Sequence, residues 1–200
     1  MVQIVQKALV LLAQGFEEVE ALSPVDYLRR AGIQVTTVAV GNDRMVTGSH
    51  DIPVKADTTL EDLIKTKKLQ PSLWDAVILP GGMPGSSNLA ASQESSAFLK
   101  EMAREGKWIC AICAAPALVL APLGLLDGRK FTCSPGFEEK VDGAIWSADR
   151  VVIDKSLPPE RCGIITSRGA GTAGEFAVAI ISTLLHEAEG EKIAQKVLLK

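Results

Sequence analysis

The sequence predicts an open α/β fold, a mostly parallel β-sheet with helices on both faces. Two observations carry that expectation. Short runs of aliphatic and β-branched residues recur at 7–13, 33–40, 75–79, 107–112 and 163–167, and they read as near-continuous apolar runs, as strands buried on both faces do. Stretches of helical spacing lie between most of them, which is the alternation that parallel strands require. With 47% hydrophobic and 22% charged residues in 200, no internal repeat and no linker-like shift in composition, residues 1–200 read as a single domain with a full-sized core.

Lys7 to Ala13 is the first strand. Its apolar run, Ala8 to Ala13, is short for the h-region of a signal peptide and leads straight into acidic residues. A helix follows with Val19, Leu22, Tyr27 and Leu28 as its apolar face, Arg29 and Arg30 in the last turn, where the dipole favours cations, and Gly32 as its stop. Ile33 to Val40 is the second strand, completing a right-handed parallel unit. Met45 to Lys55, with Gly48, His50 and Pro53, fits an edge hairpin better than a central strand. Asp57 to Lys68 is a short helix capped by Thr58 or Thr59.

Asp75 to Leu79 is a strand, and Pro80-Gly81-Gly82-Met83-Pro84-Gly85 a flexible turn. Glu94 to Glu105 is an amphipathic helix using Ala97, Phe98, Met102 and Ala103. The strand to Ile112 and a helix from Ala114 to Leu120 follow, then a loop over 124–128. Phe131 to Ser134 and Arg150 to Ile153 are short strands, Gly163 to Ser167 the last strong one, and Arg168 to Thr172 a turn into an apolar helix, Phe176 to Leu185. An amphipathic segment, Glu189 to Leu199, ends the chain.

A formal net charge of −3 and a pI near 5.5 leave no basic surplus to neutralise phosphates, so neither nucleic acid nor a membrane surface is an expected partner. No stretch approaches the roughly 18–20 apolar residues of a membrane span. Four cysteines, at 110, 113, 133 and 162, are too few and too irregular for a disulfide framework and read as reduced thiols of a cytoplasmic protein.

The chemistry centres on Ala111-Ile-Cys-Ala-Ala-Pro116, where a strand runs into a helix without loop residues. The turn must be sharp, and the unpartnered N–H groups and positive dipole end of the helix face Cys113. A thiol so placed is easier to ionise, and the thiolate is the nucleophile. A buried structural cysteine explains the same residues equally well.

In open α/β sheets, ligands bind beyond the carboxyl ends of the strands, where the turns Gly15 to Glu20 and Pro80 to Gly85 would join Cys113. Glu17 and Glu18 read as acids answering a helix dipole. Glu20 differs because Pro24, four residues on, cannot donate to its carbonyl, and the distortion can aim its side chain inward. Beside a thiolate its pKa would rise. The N–H groups of Gly81, Gly82 and Ala114 offer an oxyanion hole, although a plain turn fits the glycines as well.

Cys110 and Cys113 form C-x-x-C, but strand alternation places Cys110 on the opposite face, against a dithiol role. No metal is expected, since His50 and His186 stand far from any cysteine. Dinucleotide and phosphate-loop patterns are absent, so no cofactor is expected.

Leu9-Val-Leu-Leu-Ala-x-Gly-x-Glu-Glu-x-Glu20, Pro24-Val-Asp26, Arg29-Arg-Ala-Gly-Ile33, Val77-Ile-Leu-Pro-Gly-Gly82, Ala111 to Pro116 and Thr166-Ser-Arg-Gly-x-Gly-Thr172 together resemble the ThiJ/PfpI superfamily, most closely its Parkinsonism-associated deglycase branch. The resemblance implies a flavodoxin-like three-layer sandwich, a homodimer, and Cys113 as nucleophile. It further implies Glu20 as a protonated acid against the sulfur, with Gly82 and Ala114 as backbone donors. The implied function is cofactor-free glyoxalase or deglycase action on methylglyoxal, glyoxal or glycated proteins, or a peroxide-responsive sensor and chaperone with little turnover. Two positions depart from family patterns. Ser134 stands where relatives often carry His, and Ala114 where peptidase-type relatives carry His, so proteolysis is disfavoured. His50 matches an arginine brought near the partner's pocket, and Arg30 also matches, implying anion binding across a dimer.

Overall fold

The computed structural model describes residues 5–155 and 163–199. Cys162 lies outside them. Among the described residues a seven-stranded sheet is flanked by helices on both faces, as the α/β expectation requires. Strand β1 (Lys7–Leu12) is followed by α1 (Glu18–Arg30), β2 (Gln34–Ala39), the hairpin β3 (Met45–Thr47) and β4 (Pro53–Lys55), and the two-residue β5 (Thr58–Thr59). Then come α2 (Leu60–Lys65), β6 (Ala76–Leu79), α3 (Gly85–Ala91), α4 (Gln93–Arg104), β7 (Trp108–Ile112), β8 (Lys130–Phe131), β9 (Ile145–Trp146), β10 (Val151–Asp154), β11 (Ile164–Ser167), α5 (Ala173–Leu184) and α6 (Glu187–Lys196).

The sheet order is β10-β11-β7-β6-β1-β2-β5, parallel except for β10. Alternation along β1 divides the core. Ala8, Val10 and Leu12 pack with Leu28, Phe176 and Ile180 of α1 and α5, whereas Leu9, Leu11 and Ala13 pack with Leu63, Phe98 and Met102 of α2 and α4. A fully buried aliphatic side chain contributes about 1.5–3 kcal/mol, so the two layers hold the sheet in register from both sides.

Several elements depart from the sequence expectation. On α1 the buried face is Glu18, Glu20, Ala21, Pro24, Val25 and Leu28, and Val19 and Leu22 are 49% and 37% exposed. Apolar spacing misplaces this face because two carboxylates belong to it. The expected helix 57–68 shortens to α2, capped by Thr59, whose hydroxyl accepts from Asp62 N at 3.0 Å. Asp57 instead closes the edge of β2, accepting from Thr37 N and Oγ1, both at 2.9 Å. Helix α3 has no cap or apolar period in the sequence and is held from outside: Gly85 N donates to Gly15 O at 3.0 Å and Asn88 Nδ2 to Gln14 O at 2.8 Å. Pro116–Leu120 winds more widely than an α-helix, with Ala121 N reaching Pro116 O five residues back, and Pro122 supplies no N–H to continue a regular ladder.

Candidate active site

Cys113 sits at the carboxyl end of β7 with φ of 64°, a left-handed conformation that costs a non-glycine residue roughly 1–3 kcal/mol and persists only where neighbours enforce it. They do so from both sides. Cys113 N donates to Ser167 O of β11, and Ser134 N donates to Cys113 O, each at 2.9 Å. The segment carrying Ser134 is itself tied to the sheet by Thr132 N donating to Thr166 Oγ1 at 2.9 Å. The turn also defeats strand alternation. Cys110 is buried in the layer under α1 and α5, and Cys113 packs against that same layer rather than the opposite one. Cys133 lies in the other layer.

Helix α1 brings Glu20 to the sulfur. Glu17 caps the helix, accepting from Glu20 N at 2.7 Å, and Glu17 N donates to Gly81 O at 3.0 Å. Glu20 is 1% exposed. Its Oε2 accepts from Gly81 N at 2.9 Å, the Ala170 N–H also donates to the carboxyl, and the remaining hydrogen bond joins it to the Cys113 thiol. The structure thus brings together Cys113, Glu20 and the Ala114 N–H, which points at the sulfur. Gly81 N is spent on Glu20, so it is removed from the expected oxyanion hole. Gly82 N makes no hydrogen bond among the described residues.

The electrostatics follow from burial. Desolvation raises the Glu20 carboxyl to about 7, opposed by the Cys113 hydrogen bond, aided by the nearby charge of Glu17, and opposed by Gly81 and Ala170. Desolvation, the Glu20 charge and the Glu20 hydrogen bond push the Cys113 thiol up to about 12, against donors from Ser134 and Ala114. The expected lowering of the thiol pKa is therefore not found, because burial and a carboxylate neighbour outweigh the turn's N–H groups. The two groups titrate as a pair, and above neutrality that pair holds one proton.

Glu18, read from sequence as an ordinary first-turn acid, has a different role. It is 3% exposed and accepts from His50 N and Nδ1, both at 2.8 Å. Burial pushes its carboxyl up, but the His50 ring, the His50 N–H and the Ile52 N–H outweigh burial and hold it below the usual value. No local signal announces this link, which joins residues 32 apart. Arg30 pairs with Asp26 at 2.6 Å, about 18 Å along α1 from Glu18, so one chain does not bring Arg30 and His50 together. Among the described residues, Glu17, Glu18 and His50 hold one ligand atom each within 4.8 Å of one another, with Glu18 already engaged by the hairpin. His186 precedes α6, away from these groups in the sequence. No described helix is long and apolar enough to cross a membrane.

The model of the DJ-1/PfpI family matches residues 6–183. The chain is 34% identical to a Parkinson disease protein 7 homologue of Danio rerio, covering 98% of both. It is 32% identical to a deglycase of Pyrococcus horikoshii over 74% of this chain and 85% of that one. An oxidised Toxoplasma gondii DJ-1 superposes with a TM-score of 0.87 at 35% identity, covering 97% and 98% of the two chains. Two Arabidopsis thaliana DJ-1 homologues are 35% and 34% identical, and this chain spans 42% and 48% of their lengths.

Proposed function

The chain belongs to the DJ-1/PfpI family, and on that premise we propose that it is a cofactor-free glyoxalase or deglycase. Its substrates would be methylglyoxal, glyoxal or their adducts on proteins. The observation that carries the reading is the buried Glu20 carboxyl hydrogen-bonded to the Cys113 thiol, with both groups' affinity for protons raised. Such a pair moves a proton between carbon, oxygen and sulfur without a metal or coenzyme. The thiol gives its proton to Glu20, and the thiolate forms a bond to the aldehyde carbon. The carbonyl electron pair goes to oxygen, which takes the proton back from Glu20 to give a hemithioacetal. Glu20 then carries the proton of that carbon to its neighbour while the hydroxyl proton passes to the neighbouring carbonyl oxygen, producing a 2-hydroxy thioester, and one water releases the hydroxy acid and restores the thiol. Gly82 N and Ala114 N are the proposed donors to developing negative charge.

The experiment is lactate formation from methylglyoxal by the wild type and Cys113→Ser. The variant is expected to lose about a thousandfold or more. Equal lactate from both would remove Cys113 from the reaction. A second reading, a peroxide-responsive protein with little turnover, is favoured by the half-buried single thiol at the elbow. It predicts stoichiometric sulfinate at Cys113 with negligible lactate.

We further propose a homodimer through the outer face of α1. Val19, Leu22, Tyr27 and Ile52 line a depression of ≈ 360 Å³ there, and Val19, Leu22 and Ile52 are exposed apolar residues of the kind that mark protein interfaces. His50 adjoins this face, and Arg30 ends the same helix, so an anion held by both would lie between subunits. Leu22→Glu should yield a monomer by sedimentation. An unchanged oligomeric state would place the interface elsewhere.

A further inference from the structure

Three glycines in the turns of the candidate site are glycine for different physical reasons. A Cβ on Gly81 would lie 2.6 Å from both Cys113 Cβ and Glu20 Oε2, and one on Gly82 would lie 2.4 Å from Glu17 N and 2.6 Å from Gly15 O. Gly82 also has φ of 89°. These two positions need glycine because neighbouring chain passes against them and, at Gly82, because the backbone is left-handed.

Gly169 meets neither demand. Its φ of 165° and ψ of −171° are extended backbone that any residue adopts. Among the described residues, a Cβ there would find two atoms within 4 Å, Glu20 Oε1 at 3.7 Å and Cys113 Sγ at 4.0 Å. Both are ordinary van der Waals separations. The loop is held by Thr172, whose N and Oγ1 each donate to Gly169 O at 2.8 Å, while Gly169 N donates to Thr172 Oγ1 at 3.1 Å. A methyl group on Gly169 would leave those bonds intact. Among the described residues, and apart from Gly169's own chain neighbours, the space it would fill is bordered within 4 Å by the nucleophile and the acid.

Resting on the glyoxalase or deglycase reading, we propose that Gly169 is the specificity-determining residue of this site. Its missing side chain keeps open the space beside Cys113 Sγ and Glu20 Oε1 for the second carbon of a small 1,2-dicarbonyl compound and that carbon's substituent. When sulfur bonds to the aldehyde carbon, the adjoining carbon is carried to the sulfur's flank. Glu20 must also stand beside both carbons to move a proton from one to the other. The substituent is hydrogen in glyoxal and methyl in methylglyoxal, so a methyl on the protein should discriminate between them.

The test compares wild type, Gly169→Ala and Gly171→Ala, the last as a control because, among the described residues, nothing beyond its chain neighbours lies within 4 Å of a Cβ at Gly171. Two readouts are taken: kcat/KM for glyoxal and methylglyoxal, and the rates at which hydrogen peroxide, iodoacetamide and N-ethylmaleimide modify Cys113, followed by mass. For Gly169→Ala, kcat/KM for methylglyoxal relative to glyoxal should fall about tenfold or more, the worth of one misplaced methyl group in a pocket. Modification should slow progressively from peroxide to maleimide, and Gly171→Ala should match the wild type in every measurement. Should Gly169→Ala melt below the wild type, the ratios between reagents within that variant still decide the matter. Uniform slowing across all reagents, or no slowing with the largest, would overturn the proposal. If the wild type itself makes no hydroxy acid, the functional reading fails, while the reagent series still tests the space beside the sulfur.

Discussion

Glu18 and Glu20 occupy the same turn of α1, two residues apart and almost equally buried, yet their surroundings make them different acids. Glu18 faces the hairpin and is met by the N–H groups of His50 and Ile52 and by the His50 ring, which hold it ionised. Glu20 faces a thiol and is held near neutrality by burial, with two backbone donors that only partly compensate. The difference teaches that desolvation, weighed against the donors a carboxyl meets, decides which of the two keeps an exchangeable proton. Glu18 fixes the β3–β4 hairpin to the helix, and Glu20 is left with a proton that it can exchange.

Exchanging each acid for its amide breaks the comparison most severely. Glu20→Gln is expected to lower hydroxy acid formation by about a hundredfold or more, the usual worth of a general acid–base group. Glu18→Gln should leave the Cys113 chemistry largely intact. It should instead cost about 1 kcal/mol in denaturant unfolding, because the N–H groups of the exposed residues His50 and Ile52 lose a charged acceptor and can turn to water. Equal kinetic effects would erase the distinction.

The two acids should also differ in their linkage to pH. Glu20 has a folded value of about 7 against an ordinary 4.5, so between those values the native state binds more protons than the unfolded chain. Stability attributable to Glu20 therefore falls as pH rises through that window, by a total on the order of 3 kcal/mol. Glu18 has the opposite sign: its lowered value gives stability that is present above the unfolded pKa and lost on acidification. Thermal melting should thus show Glu20→Gln gaining on the wild type as pH rises from about 4.5 to about 7, whereas Glu18→Gln should lose least in acid. A constant offset at every pH would contradict both signs.

The smallest expected effect concerns Ser134, whose hydroxyl opposes the rise of the thiol pKa. Ser134→Ala should lower the alkylation rate on the plateau above neutrality by about three- to tenfold, the worth of one hydrogen bond to the sulfur. Ser134→Thr should restore it. An unchanged plateau would assign Ser134 only its backbone bond to Cys113.

The alternation of strands and helices was legible because buried parallel strands need continuous apolar runs, and Cys113 was legible because β7 enters its turn without a loop. Glu20 was singled out through a distortion expected from Pro24, yet α1 runs unbroken through Pro24, and it is the buried face of the helix that carries Glu20 inward. What stayed hidden depends on contacts between distant segments. The inner face of α1 includes carboxylates whose partners lie beyond residue 48, so apolar spacing pointed to Val19 and Leu22 instead. Helix α3 is held by Gln14 and Gly15, and the thiol's raised pKa comes from burial by three separate turns. Gly169 looked like one more turn glycine, since only its distance from the sulfur distinguishes it.

The most direct measurement is the rate of Cys113 alkylation as a function of pH in the wild type and Glu20→Gln. If the pair shares one proton, wild-type reactivity rises through an inflection near pH 7, the value of Glu20, and levels off while the thiol's own ionisation lies far higher. Glu20→Gln should lose that inflection and react only as the thiol itself ionises in alkali. Persistence of the neutral inflection in Glu20→Gln would show that another group controls the sulfur, contradicting the account.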